Sequence, residues 1–132
     1  MTTAMSIAVL GFALLQLKHF LCDFVLQTAR HVKFKGIYGH PAGIEHSAIH
    51  VAGTIPCLWL VGASWTAIMA IAIMEFLIHY HEDWLKERVV RQNGWTPADH
   101  KFWIALGADQ LVHHLTYVAM IAALLNIPGA LR

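Results

Sequence analysis

Four long apolar runs, joined alternately by basic and uncharged connections, constrain this chain more than any other feature. They cover residues 4–27, 46–63, 66–86 and 102–126. About 20 predominantly apolar residues carry a helix across a bilayer, and a helix satisfies its own backbone where no water can. An all-α chain with four crossings is therefore expected. Composition agrees: 58% of the 132 residues are hydrophobic and 13% charged, and the mean hydropathy is +0.55, which is a membrane protein's balance. A net charge of +1 leaves no electrostatic footprint for nucleic acid.

Orientation follows from the loops. Arg30, Lys33 and Lys35 follow the first run and Lys86, Arg88, Arg91 and Lys101 follow the third, while the turn at 62–65 has no charge. Basic loops stay cytoplasmic, so both termini and the short turn are expected outside, in a bacterial inner membrane. Trp84, Trp95 and Trp103 suit the inner interfacial belt. Gly53 and Pro56 predict a kink in the second run, and Asn126, Pro128 and Gly129 end the fourth.

The polar residues inside these runs repeat. His19 and Asp23 return as His79 and Asp83, displaced by 60 residues; His46 and His50 return as Asp109 and His113, displaced by 63. Each half reads HxxxD, a basic loop, then [HD][SQ]xxH. The expected fold is thus a polytopic four-helix bundle of two parallel helical hairpins in a single domain, 1–132, with repeats at about 4–63 and 66–126. Two crossings per repeat preserve orientation, so a pseudo-twofold axis would run along the membrane normal.

Residues four apart share a helix face, and all four pairs fall at the cytoplasmic ends of their runs. Asp23, Asp83 and Asp109 gathered in a low-dielectric core would repel one another unless protonated or neutralised. Imidazoles with carboxylates are a donor set for zinc, iron or manganese. His19, Asp23, His46, His50, His79, Asp83, Asp109 and His113 are the expected ligands of one or two divalent ions, zinc favoured. A hydrogen-bonded or proton-relay network is the competing use of the same residues.

Glu75 lies one turn before His79, where a lone intramembrane carboxylate is costly; its repeat counterpart is Leu15, and it is the candidate for proton transfer. Tyr117 and Thr54 suit interhelical hydrogen bonds, and Ser47 and Gln110 flank the ligand pairs. Lys18 is expected to snorkel or meet a carboxylate. Gln27, Glu82, Glu87, His81 and His114 read as interface residues, and His31, His40 and His100 as loop residues. Cys22 and Cys57 have no metal or redox spacing and read as buried thiols.

The segments HFLCDFVLQ, HSAIH, HYHEDWLK and DQLVHHLTY, in that order, resemble a family of small bacterial and phage membrane proteins, domain of unknown function thirty-three-oh-seven. The resemblance covers nearly the whole chain. It implies an integral membrane protein with matching His and Asp positions and brings no activity.

The leading expectation is a metal-dependent hydrolase of a lipid or lipid-linked ester, because the site lies at headgroup depth. The alternatives are an oxidative di-iron enzyme, a carrier of metal ions or protons, and a non-enzymatic accessory protein whose polar core is structural. Membrane lipids are the expected surroundings. A unit this small is compatible with a homodimer, although no GxxxG face argues for one.

Overall fold

In the computed structural model, which describes residues 3–132, the fold is all-α with five helices. Helix α1 runs Thr3–Phe20 and continues as a π-helical turn, Leu21–Val25; α2 is Ala29–Phe34, α3 Pro41–Leu60, α4 Trp65–Gln92 and α5 His100–Asn126. An antiparallel bridge between Ala63 and Leu131 is the only β feature among the described residues. The four long helices match the four apolar runs. Two segments, Thr3–Val25 and His100–Asn126, are long and apolar enough to cross a membrane.

The long helices pack in a ring: α1 lies against α3 and α5, and α4 lies against α3 and α5. The interior has two zones. Leu15, Leu58, Ile68, Met120, Ile121 and Leu124 form an apolar core toward the α3–α4 turn. Histidines, carboxylates and lysines fill the other end.

The α3–α4 turn is closed by Gly62, whose φ of +86° is the left-handed conformation that glycine adopts without steric cost. Ser64 caps α4, its Oγ accepting from Ala67 N, and its own N–H donates to Ala130 O at 2.8 Å. The chain's end is thereby tied to the turn.

Helix α2 falls inside the first basic loop, where no helix is expected from hydropathy. Thr28 and His31 make a reciprocal capping box: Thr28 Oγ1 accepts from His31 N, and His31 Nδ1 accepts from Thr28 N. The third position of such a box is ordinarily Glu or Gln. Histidine there hides the signal.

Candidate metal centre

The cluster is assembled from all four long helices. Asp23, carried by the π-turn that ends α1, places Oδ1 3.0 Å from both His46 Nε2 and His50 Nε2 and Oδ2 3.2 Å from His19 Nε2. Asp83 on α4 lies 3.3 Å through Oδ2 from His46 Nε2 and from His79 Nε2. His113 Nε2 on α5 is 3.1 Å from Glu82 Oε2 and 3.5 Å from Asp109 Oδ1. The rings of His50 and His79 are centred 3.9 Å apart, and those of His79 and His113 4.3 Å apart.

Three overlapping groups could each hold a cation, their donor atoms lying within 4.8 Å of one another. They are Asp23, His46, His50 and His79; His79, Asp83 and His113; and Glu82, Asp83, Asp109 and His113. Seven of the eight expected ligands belong to these groups. His19 does not; it contacts Asp23, Gln110 and Tyr117.

A second layer sits between the cluster and the apolar core. Lys18 is 4% exposed and donates to Glu75 Oε1 at 2.5 Å and to the Tyr117 hydroxyl at 3.1 Å, with His50 Nδ1 at 3.3 Å. Of its two expected fates, Lys18 therefore takes the second and meets a carboxylate. Glu75 lies behind Lys18 and outside the three ligand groups. Gly53 makes room for the lysine stem, since a Cβ there would lie 2.8 Å from Lys18 Cγ.

The donor chemistry fits a cation. His46 Nε2, His79 Nε2, Glu82 Oε2, Asp83 Oδ2, Asp109 Oδ1 and His113 Nε2 are buried without a hydrogen-bond partner among the described residues. Each lies 3.0–3.5 Å from an opposite partner within the cluster but makes no aligned hydrogen bond, so its desolvation is only partly offset. Charge leads to the same end. Lys18 matches Glu75, Lys35 matches Asp83 at 2.9 Å, and Lys86, 2.7 Å from Glu87, shares a cleft with Asp109, which leaves Asp23 and Glu82 facing imidazoles alone. The protein thus contains a buried His/Asp/Glu cluster able to coordinate a divalent metal ion.

A family model matches residues 11–130, from the middle of α1 to the residue before the bridge at Leu131. The chain belongs to that family, Protein of unknown function (DUF3307). No curated protein and no solved structure matches it.

In this DUF3307 chain three participants lay outside the expected site. Glu82 joins a ligand group, although its repeat counterpart is Cys22, so the repeat could not mark it. Lys35, read as a topology signal, folds inward to Asp83 and is 6% exposed. His31, read as a loop residue, is buried as the α2 cap with its ring centred 5.7 Å from that of His46. The remaining histidines keep peripheral places: His81 is exposed and bonded to Tyr38, His40 caps α3, and His100 opens α5 at the surface. The ring of half-buried His114 is centred 5.3 Å from that of His19.

Proposed function

We propose that this protein is an integral membrane protein of four crossings, built from two hairpin repeats, whose polar cluster holds one or two divalent ions near the cytoplasmic face and hydrolyses a lipid or lipid-linked ester. The observation that carries the reading is the convergence of buried imidazole and carboxylate donor atoms within 4.8 Å of one another, six of them without an aligned hydrogen bond among the described residues. The inverted distribution of polarity supports the membrane location: Val9, Phe20, Phe24, Ile73, Ile104 and Val118 are exposed, while Lys18, Glu75, Asp83 and Asp109 are buried. In water such an exterior would associate. In lipid it is the solvent-facing surface.

A divalent ion in the cluster would supply Lewis acidity, polarising a phosphoryl or carbonyl oxygen and acidifying water. The chain supplies the rest. Asp23, Asp83, Asp109 and Glu82 provide anionic donors, and His46, His79 and His113 provide imidazoles on facing helices. A cleft of about 180 Å³ between α4 and α5 is lined by Glu82, Lys86 and Asp109, which gives the cluster a side opening. Glu82 belongs to a ligand group and also lines the cleft, so a carboxylate oxygen not held by the ion is placed to pass a proton toward the opening. Glu75 is removed from that opening and acts through Lys18. At the other end of the cluster Leu15, Leu58, Ile68 and Leu124 close the interior, which favours an enzyme over a carrier needing a polar path through the molecule.

The test is turnover. Purified protein reconstituted with zinc, manganese or ferrous ion, and presented with short-chain phospholipid and prenyl phosphate esters in mixed micelles, is expected to hydrolyse one of these classes. Asp83→Asn should abolish the reaction while leaving helicity intact. Metal-loaded protein without hydrolytic turnover on any of them would remove the hydrolase assignment.

A further inference from the structure

The eight histidines and aspartates do not share the same hydrogen-bonding freedom, and Lys18 is what divides them. A lysine ammonium has three protons and no acceptor. Lys18 Nζ faces three acceptors, Glu75 Oε1 at 2.5 Å, the Tyr117 oxygen at 3.1 Å and His50 Nδ1 at 3.3 Å. Were the proton shared with Glu75 to sit on the carboxylate, Glu75 would donate to Nζ and the two remaining N–H groups would still face Tyr117 and His50. Either placement makes His50 Nδ1 an acceptor.

The consequence runs through both rings. With Nδ1 accepting, the His50 proton lies on Nε2, 3.0 Å from Asp23 Oδ1. Tyr117, accepting from Lys18, has its own proton to give to His19 Nδ1 at 3.0 Å. The His19 proton then lies on Nε2, between Gln110 Oε1 at 2.9 Å and Asp23 Oδ2 at 3.2 Å. Both imidazoles turn an N–H toward Asp23, and a metal needs a lone pair there.

The alignment of the contacts draws the same line, since His46 Nε2 lies as close to Asp23 Oδ1 as His50 Nε2 does, 3.0 Å, without an aligned hydrogen bond. The buried atoms without a hydrogen-bond partner among the described residues include the Nε2 atoms of His46, His79 and His113, and no nitrogen of His19 or His50. We infer that Lys18, backed by Glu75 and assisted by Tyr117, fixes His19 and His50 as hydrogen-bond donors that orient Asp23, so that these two histidines position the site and the metal is held by the others. The statement about the two rings stands on the hydrogen bonds alone; the statement about the metal rests on the metal-binding reading above.

The experiment uses the full chain in detergent, ¹⁵N-labelled at histidine, with ring nitrogens followed by NMR and assigned through His19→Gln and His50→Gln. In metal-free protein both rings are expected as Nε2–H tautomers, and to stay so when zinc chloride is added to saturation. Lys18→Met/Glu75→Gln, which removes both charges together, should release them into mixed tautomers. His19→Gln and His50→Gln should bind zinc at the wild-type stoichiometry with affinity lowered about 10–100-fold, the usual effect of losing an outer hydrogen bond, whereas His79→Gln should lower the stoichiometry. An Nδ1–H tautomer in the metal-free wild type, or tautomers unmoved in the double variant, would overturn the role of Lys18. A zinc-induced loss of the Nε2 proton, or His50→Gln matching His79→Gln in lost stoichiometry, would overturn the exclusion of these rings from the metal. Wild-type protein that takes up no zinc would sink the metal reading by itself, and the tautomers would still decide the part played by Lys18.

Discussion

Replacing Lys18 by methionine keeps the length of the stem that passes Gly53 and removes the ammonium facing Glu75. Unit charges 2.5 Å apart attract by roughly 6–7 kcal/mol at an effective dielectric near 20, and most of that offsets the desolvation of two groups only 4% and 1% exposed. Removing one partner leaves the other buried and unpaired, at a cost of about 3–5 kcal/mol. In Lys18→Met/Glu75→Gln no charge is left behind, and the loss falls to the hydrogen bonds to Tyr117 and His50, about 1–3 kcal/mol in all. The double variant should therefore be more stable than Lys18→Met by about 2 kcal/mol, and with Glu75→Gln measured alongside, the cycle gives a coupling that independent residues would not show. Unfolding in mixed micelles by increasing dodecyl sulfate fraction, followed by tryptophan fluorescence, measures all the free energies. Lys18→Met within about 1 kcal/mol of wild type would refute the reasoning, because it would mean that Glu75 is neutral or hydrated in the folded protein.

Other consequences are more local. Gly53→Ala sets a Cβ 2.8 Å from Lys18 Cγ; because the far end of that side chain is held by hydrogen bonds to Glu75 and Tyr117, the same unfolding assay should show a loss of about 1–3 kcal/mol. Glu82→Gln should weaken zinc binding at least about 10-fold in competition with a chelating indicator, and unchanged affinity would return Glu82 to the interface role expected from sequence. The Arg30–Glu45 pair ties α2 to α3. The hydrogen bond from Arg30, with His31 also nearby, holds the Glu45 carboxyl below its ordinary range, so the tie is present above that range and is lost as pH falls through the lowered value. Hydrogen exchange over residues 29–34 should accelerate only once pH falls below the ordinary glutamate range.

Much of the cluster was legible because the same His and Asp spacing recurs along the sequence. His79, Asp83, Asp109 and His113 stand out only when set beside His19, Asp23, His46 and His50, and helix periodicity then puts each pair on one face. The same comparison was blind wherever the halves differ. Glu82 corresponds to Cys22, and Lys18 to Ile78, so neither had a repeat signature. Lys35 and His31 were missed for another reason: a loop's net charge reports topology, whereas the direction in which α2 folds back over the cluster is decided by contacts with α3 and α4. The π-turn at Leu21–Val25 was read as ordinary helix, since a single residue's widening leaves no mark on hydrophobic periodicity. Sequence also ranked His19 and His50 with the other donors. Only the position of Lys18 Nζ relative to ring nitrogens separates them.

The central claim is that the buried donors hold a metal, and bound metal is what should be measured first. The protein, purified in detergent without a histidine tag and reconstituted with zinc, manganese or ferrous ion, should carry one or two ions per chain by inductively coupled plasma mass spectrometry. Asp109→Asn/His79→Gln should carry fewer while remaining helical. Wild-type protein that stays metal-free after exposure to each ion would contradict the account and leave the cluster as a hydrogen-bonded network.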